Sequence, residues 1–304
     1  AQIYSSNVTT INQQQAERLH TQQQLSTGMR VLTPSDDPVA AARALVVSQS
    51  VSLNSMQMES QGIATDSLSL LDKTLGSITD IISYIKDRAI QANVGSLSPS
   101  EKESLATDVS AQFDELMNLA NTKDANEEYL FSGYMGNTRP FTGNLAGVSY
   151  QGDQGSRCLQ VSSSRQIPTN VNGDELFMTI DDGAGGTTDM FATISNLVTT
   201  LRDTTLSAPA YAAAISTVEG QLDNAMDNVL RLDSQTGSRM VEVDALTSMS
   251  EDLHVQYSAT ISRLVGVDYV SAISSYQQQG TYLEAALSTF SKITGLSLFN
   301  YIGN

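Results

Sequence analysis

Apolar side chains recur along the first half of the chain at alternating steps of three and four residues. This spacing places them on one stripe of an α-helix, as in a coiled coil. Before the stripe, Asp37 is suited to cap a helix whose first position is Pro38. We therefore predict one long helix from Pro38 to about Asn93. All nine stripe positions between residues 64 and 92 are apolar: Ala64, Leu68, Leu71, Leu75, Ile78, Ile82, Ile85, Ala89 and Ala92.

A second helix is predicted directly after the first. Gly95 is a stop signal, and Ser98-Pro99-Ser100-Glu101 has the spacing of a capping box with a proline in its first turn. The apolar pattern continues from there to about Asn121. Because the connection is short, we expect the two helices to form an antiparallel hairpin.

A third long helix is predicted in the C-terminal half. The same spacing runs over fifteen positions from Ile215 to Leu264, and eleven of these are Ile, Val, Leu, Ala or Tyr. Such a helix would have about 50 residues and a length of about 75 Å. Its polar exceptions are Thr236, Arg239, Ser250 and Thr260. We interpret Arg239 as a side chain whose guanidinium extends past the stripe into water.

A glycine-rich insert separates the helical arms, since ten of the twenty glycines fall between Gly133 and Gly186. Val148 alternates with Tyr150, and Leu159 with Val161, which indicates strands. Turns are predicted at 153–155 and 172–173. Asp181-Asp182-Gly183 lacks the alternating ligands of a calcium-binding loop and is interpreted as an exposed flexible turn.

These patterns predict a mainly α protein: an elongated rod of long antiparallel coiled-coil-like helices from both chain arms, with a small β-rich inserted domain. We expect three domains. Residues 1–37 and 268–304 form a terminal helical assembly domain, residues 38–135 and 190–267 form a helical rod, and residues 136–189 form the β-rich outer insert.

Both ends of the chain carry amphipathic stripes without an evident partner in the rod. The two ends either pair with each other in a closed monomer or pack against other chains. The N-terminal stripe is interrupted by Gln and Arg, which makes an isolated pair of terminal helices marginal in water, so we favour assembly. The predicted assembly residues are Tyr4, Val8, Ile11, Leu25, Tyr269, Ile273, Tyr276, Leu283, Leu287, Phe290, Leu296, Leu298 and Phe299.

Charge and chemistry narrow the class of protein. The formal net charge of −17 disfavours nucleic acid and anionic membrane surfaces as partners. Cys158 is the single cysteine, interpreted as a half-buried strand residue, and His20 and His254 as solvated helix residues. No sequence motif for catalysis, a metal or a cofactor is evident. We expect a soluble structural protein, not an enzyme, without a conventional secretory signal.

Three segments resemble bacterial flagellins and their relatives. The first is Leu25-Ser-Thr-Gly-Met-Arg-Val-Leu-Thr-Pro-Ser-Asp-Asp-Pro-Val-Ala40. Tyr129-Leu-Phe-Ser-Gly-Tyr134 with Pro140-Phe141 is similar to the hook-filament junction branch of that superfamily, FlgL, the third hook-associated proteins. The third segment is Ala272-Ile-Ser-Ser-Tyr-Gln-Gln-Gln with Tyr282-Leu-Glu-Ala-Ala-Leu-Ser-Thr-Phe and Gly295-Leu-Ser-Leu-Phe299, which is similar to the end of FlgL.

The resemblance implies a structural subunit of the flagellum. Such a subunit forms a ring of like copies between the hook-associated protein FlgK and flagellin. It is exported without a cleaved signal by the flagellar type III apparatus with the chaperone FlgN, and is therefore extracellular. Two alternatives remain open: filament flagellin itself, and a type III secreted helical adhesin or translocator.

The weak N-terminal stripe yields a first testable prediction. In dilute monomer, at least part of both terminal helices should be unformed, because their apolar faces are too interrupted to hold an isolated pair. Hydrogen exchange should therefore show unprotected amides at both ends and protected amides between residues 64 and 92. Full protection of the terminal amides would contradict it.

Overall fold

The computed structural model describes the backbone of residues 2–93 and 97–302, and the side chains of residues 5–93 and 97–292. In this part of the chain the helices are α1 (Gln2–Thr27), α2 (Pro38–Asn93), α3 (Pro99–Ala120), α4 (Met190–Arg202), α5 (Ala208–Val265) and α6 (Tyr269–Ile302). The strands are β1 (Phe141–Asn144), β2 (Gly147–Tyr150), β3 (Cys158–Ser162), β4 (Arg165–Pro168), β5 (Ile180–Asp181) and β6 (Thr187–Thr188). The predicted stop at Gly95 lies outside the described residues.

The chain divides into two compact units. The terminal unit consists of Ala1–Ser55 and Asp252–Asn304, and the central unit of Met56–Glu251. A mainly α fold with a small β-rich insert is confirmed. The three-domain division with boundaries near residues 37, 135, 189 and 267 stays a prediction.

The core of the central unit is the seam between α2 and α5. All nine predicted positions from Ala64 to Ala92 are buried, as are Ile215, Leu222 and Val229 on α5. Lys86 pairs with Asp223, and the Tyr211 hydroxyl donates to the Ala92 carbonyl at 3.4 Å. Lower numbers on α2 face higher numbers on α5, so the predicted antiparallel pairing is confirmed.

Helix α3 folds back along α2, as predicted. Ser98 Oγ accepts from the Glu101 amide at 3.3 Å while Glu101 Oε2 accepts from the Ser98 amide at 2.7 Å, which completes the capping box. The Tyr84 hydroxyl donates to Asp108 at 2.7 Å across the hairpin. Helix α4 was not predicted from the sequence; Asp189 caps it, and it packs on α3.

The insert contains three two-stranded antiparallel ribbons. Phe141 pairs with Tyr150 in β1–β2, Leu159 with Ile167 in β3–β4, and Ile180 with Thr188 in β5–β6. The predicted turn at 172–173 leads into a π-helical turn, Asp174–Met178. Residues 182–186 form the exposed hairpin turn of β5–β6, which confirms the predicted turn there. The insert joins the helical core through packed rings of Phe113, Phe131, Phe141, Phe177 and Phe191.

One polar residue interrupts the α2 seam and ties three elements together. Gln61 is buried, and its Nε2 donates to the Val161 carbonyl at 2.8 Å and to Ser250 Oγ at 3.1 Å. Beside it, Val161 and Ile167 of the β3–β4 ribbon pack against Ala64, Leu68 and Val243. Ser250, a polar exception in the α5 stripe, therefore receives its hydrogen bond from the opposite helix.

Two predictions about single side chains are wrong. Arg239 is half-buried and does not extend freely into water: its Nη1 is buried and has no hydrogen-bond partner among the described residues, and burial lowers the pKa of the guanidinium. Cys158 and Glu175 of the insert lie near enough to act on that charge, and they oppose the lowering. Cys158 itself is exposed, not half-buried, since it begins β3 on the outward face.

A pair of carboxylates across the seam produces a prediction about pH. Burial, and then the neighbouring Asp72, raise the pKa of Asp233, so its ionised form destabilises the fold at neutral pH. The Asp233→Asn variant should raise the Tm at pH 7 by about 2 °C, the scale of a weak like-charge contact. The gain should fade as the pH drops through the raised pKa towards the unfolded value of about 4.

The control for this variant is Asp244→Asn, which removes an exposed carboxylate of the same helix. It should leave the Tm unchanged at pH 7 and also at about pH 4. An equal effect of the two substitutions would show that overall net charge, and not the Asp72 contact, is responsible.

Candidate assembly surface

A short backbone pairing holds the turn after α1 against the turn before α6. Gly28 ends α1 at a φ of +72°, a conformation that favours glycine. The Arg30 amide then donates to the Val265 carbonyl at 2.6 Å, and the Val267 amide donates to the Gly28 carbonyl at 3.0 Å. These bonds join the point where α1 ends to the point where α6 begins.

Three carboxylates cap the segments around this pairing. Asp37 Oδ1 accepts from the Ala40 amide at 3.0 Å, which confirms it as the cap of α2, and Arg30 donates to Asp37 Oδ2 at 3.1 Å. Asp36 accepts from the amides of residues 32 and 33, and Asp268 accepts from the hydroxyl of Ser271 at 2.8 Å and caps α6. The donated hydrogen bonds lower the pKa of each of these carboxyls.

Helices α1 and α6 pack against each other in antiparallel orientation within the terminal unit. The Arg18 guanidinium lies 4.7 Å from the centre of the Tyr276 ring. A Cβ added at Gly28 would lie 2.9 Å from the Tyr269 hydroxyl, at the other end of the pair. The pairing of the two ends within one chain, which the sequence left open, is therefore present in the structure.

The predicted assembly residues occupy two faces of this pair. Ile11 and Leu283 are buried, and Val8, Leu25, Tyr276 and Phe290 are half-buried. Tyr269, Ile273 and Leu287 are 52%, 47% and 44% exposed. The side chains of Tyr4, Leu296, Leu298 and Phe299 lie outside the described residues.

Helix phase explains this division. The face of α6 that covers α1 follows positions 272, 276, 279, 283, 286 and 290, all buried or half-buried. Ile273 and Leu287 lie one position beyond that face and remain uncovered. The sequence stripe omitted Gln14, Arg18 and Gln279 because they are polar, although they continue the same three-and-four spacing.

The terminal unit has little core of its own. Of its described hydrophobic residues only five are buried: Ile11, Val31, Ala40, Ala272 and Leu283. Twelve large ones are exposed: Leu19, Met29, Val39, Leu45, Val46, Leu53, Val255, Tyr269, Val270, Ile273, Tyr282 and Leu287. Exposed apolar surface of this extent is typical of an interaction site.

Charge is distributed unequally between the two units. The terminal unit contains six acidic and five basic residues, a net charge of −1, so the central unit carries −16 of the total of −17. Copies of the central unit therefore repel one another, whereas copies of the terminal unit do not. The apolar and uncharged surface of the molecule is concentrated in one unit.

The described residues offer little for other chemistry. No group of three or more His, Cys, Asp or Glu side chains among them is arranged to hold a metal ion. His20 is partly exposed and lies 3.8 Å from Asp36, and His254 is exposed. None of the described helices combines the length and apolar character needed to cross a membrane.

Comparison with known proteins identifies the family. The bacterial flagellin N-terminal helical region matches residues 1–136. Flagellar hook-associated protein 3 of Escherichia coli (strain K12) is 35% identical over 308 residues, which cover 98% of this chain and 96% of that protein. This chain belongs to the hook-associated protein 3 family.

Two further comparisons show how much of this chain resembles a junction protein and how much resembles a flagellin. The crystal structure of the flagellar junction protein FlgL from Legionella pneumophila superposes with a TM-score of 0.65 at 20% identity, over 74% of this chain and all of that one, and so shares its fold. Flagellin B of Vibrio cholerae is 26% identical over only 57% of this chain. Similarity to hook-associated protein 3 thus includes the insert as well as both arms.

The three capping carboxylates yield a prediction about acid. Because their folded pKa values are depressed, they stabilise the terminal unit above the unfolded value of about 4, and this stabilisation is lost as the pH falls through the folded values. Helical signal from the chain ends should therefore decrease below about pH 4. The Asp37→Asn and Asp268→Asn variants should show less of this loss, because their neutral caps no longer titrate. Unchanged acid behaviour in both variants would contradict it.

Proposed function

We propose that this chain is a structural subunit of the bacterial flagellum that forms the hook-filament junction. The observation that carries the proposal is the terminal unit, which exposes twelve large hydrophobic residues and has a net charge of only −1. Membership of the hook-associated protein 3 family supports the proposed place in the flagellum. The work of the molecule is packing against other chains, without catalysis.

The mechanism is burial of the terminal helices during assembly. Ile273, Leu287 and Tyr269 are partly exposed in the single chain and become covered by neighbouring subunits. Complete burial of one such side chain contributes about 1.5–3 kcal/mol, so several together offset the entropy lost in ordering the ends. Ile11 and Leu283 serve a different role, because they already hold α1 to α6.

The proposed partners follow from the family resemblance. Like copies form a ring through the terminal helices, with FlgK on the hook side and flagellin on the filament side. The proposed location is therefore extracellular, at the junction. Before assembly the chain is exported by the flagellar type III apparatus with the chaperone FlgN. The strongly acidic central unit stays in solvent and limits unspecific association.

The nearest alternative is filament flagellin, and a localisation experiment separates the two. Labelled antibody against this chain on isolated flagella should mark one band between hook and filament. A filament subunit would instead be marked along the whole length. Purified chain added to filament seeds should likewise add a limited layer and stop, whereas flagellin would continue to grow.

Charge on the exposed face of α6 is predicted to block assembly. The Leu287→Asp variant should keep its helical circular dichroism, because Leu287 is exposed in the single chain, and should abolish filament attachment because an aspartate cannot be buried between subunits. The measurement is the fraction of cells with attached filaments. Val241→Asp is the matched control, since Val241 is 70% exposed on α5 in the central unit. Attached filaments in Leu287→Asp cells would refute the assigned face.

A further inference from the structure

The contact between α1 and α6 has an apolar beginning and end but a polar middle. On α1 and at the residue that follows it, the contact face runs through Ile11, Gln14, Arg18, Thr21, Leu25 and Gly28, all buried or half-buried. Opposite the middle of this face lie Tyr276, Gln279 and Gly280 of α6. Thr21 donates to the Glu17 carbonyl of its own helix at 3.1 Å and is satisfied. Gln14, Arg18 and Gln279 are not, and we call them the terminal polar cluster.

Each member of the terminal polar cluster has a buried polar atom without a hydrogen-bond partner among the described residues. These atoms are Gln14 Oε1, Arg18 Nε and Gln279 Oε1. The Arg18 guanidinium stacks on Tyr276, and a Cβ placed at Gly280 would lie 3.7 Å from Arg18 Cζ. The glycine thus leaves room for the guanidinium, and no described carboxylate pairs with it.

Unpaired polar groups of this kind destabilise the contact that buries them, since their hydrogen bonds to water are lost without replacement. In helical coiled coils, a polar residue in the seam also selects the register and the number of helices that pack together. The α1–α6 pair of a single chain is therefore incomplete in a specific way. Among the described residues, its centre contains a guanidinium that no carboxylate pairs with and two amide oxygens without a hydrogen bond.

The surface beside the cluster indicates what completes it. The described parts of α1 and α6 contain two acidic side chains, Glu17, which accepts a hydrogen bond from Gln13, and Glu284, which is exposed and has no described partner. Glu284 lies one turn after Gly280 on the exposed side of α6, between Ile273 and Leu287. Within its described residues, this unit therefore contains a cation without a carboxylate partner and, on its apolar exposed face, a carboxylate without a cation partner. Because the net charge of the unit is only −1, a second copy is not repelled.

We propose that the terminal polar cluster is a specificity element that a second copy of this chain completes, with Arg18 of one copy pairing with Glu284 of its neighbour. This proposal rests on the proposed function, because it names the contact that joins like subunits. The apolar face of α6 supplies the driving force, and the ion pair selects the register. A wrong neighbour or a shifted register leaves Arg18 unpaired.

Charge reversal tests the proposal on the purified full chain. Sedimentation velocity in sulfate buffer, which strengthens apolar burial, measures self-association. Arg18→Glu and Glu284→Arg should each weaken association about tenfold or more, because like charges then face each other. A mixture of the two single variants should restore it, since each chain supplies what the other lacks. Arg43→Glu, an exposed change on α2 in the same unit, is the matched control and should associate like the wild type.

The outcomes separate this inference from the proposed function. A wild-type chain that remains monomeric throughout would contradict self-association itself. If the wild type associates and both single variants do so equally well, only the role of Arg18 and Glu284 is refuted. A chain that carries both substitutions could associate normally while the mixture of single variants does not. Arg18 and Glu284 would then pair within one chain, which would also refute the proposal.

A second measurement does not depend on assembly. Replacing Arg18 with methionine removes the buried unpaired Nε and fills its place with an apolar side chain. In the monomer, amides of α1 should then exchange about tenfold more slowly, since the α1–α6 pair is relieved of one unsatisfied group. The same variant should associate less well than the wild type. Faster exchange together with normal association would overturn the proposal.

Discussion

The antiparallel seam between α2 and α5 is the contact on which the central unit depends. From Ala64 to Ala92 it is continuous and almost free of solvent, and α3, α4 and the insert all attach to it. The helices are brought together by residues far apart in sequence, as the pairs Lys86–Asp223 and Gln61–Ser250 show. Their register is consequently set by side-chain packing and by the few polar groups that interrupt it, because no short loop joins the two.

Those polar interruptions are resolved differently in the two units. In the central unit Gln61 Nε2 donates to a strand carbonyl and to a serine of the facing helix, which links three elements, while Gln61 Oε1 has no described partner. In the terminal unit Gln14, Arg18 and Gln279 find no such partners among the described residues. Buried polar groups without hydrogen bonds are costly, and both units contain them, since Arg239 Nη1 of the central unit also lacks a described partner. The two units differ in what offsets this cost, because the terminal unit buries far fewer of its described apolar side chains.

The distribution of charge and apolar surface agrees with this difference. Nearly all of the negative charge belongs to the central unit, which contains most of the buried apolar residues, whereas the almost neutral terminal unit buries few and exposes twelve large ones. In the proposed function, repulsion between the charged central units keeps monomers apart and the terminal unit is the part that associates. For a member of the hook-associated protein 3 family, the arrangement fits a subunit that must remain separate until it is incorporated.

Local and periodic features could be predicted from the sequence alone: the bounds of α2, the capping box at Ser98, the cap at Asp37 and all nine buried positions of the α2 stripe. These depend on helix geometry and nearest neighbours. Tertiary structure decided which stripe residues at the ends are covered, since Ile273 and Leu283 differ only in helix phase relative to α1. It also decided that Arg239 Nη1 is buried and that Gln14, Arg18 and Gln279 lie in a contact face. A polar side chain gives no periodic signal of burial, because its burial depends on which surface folds over it.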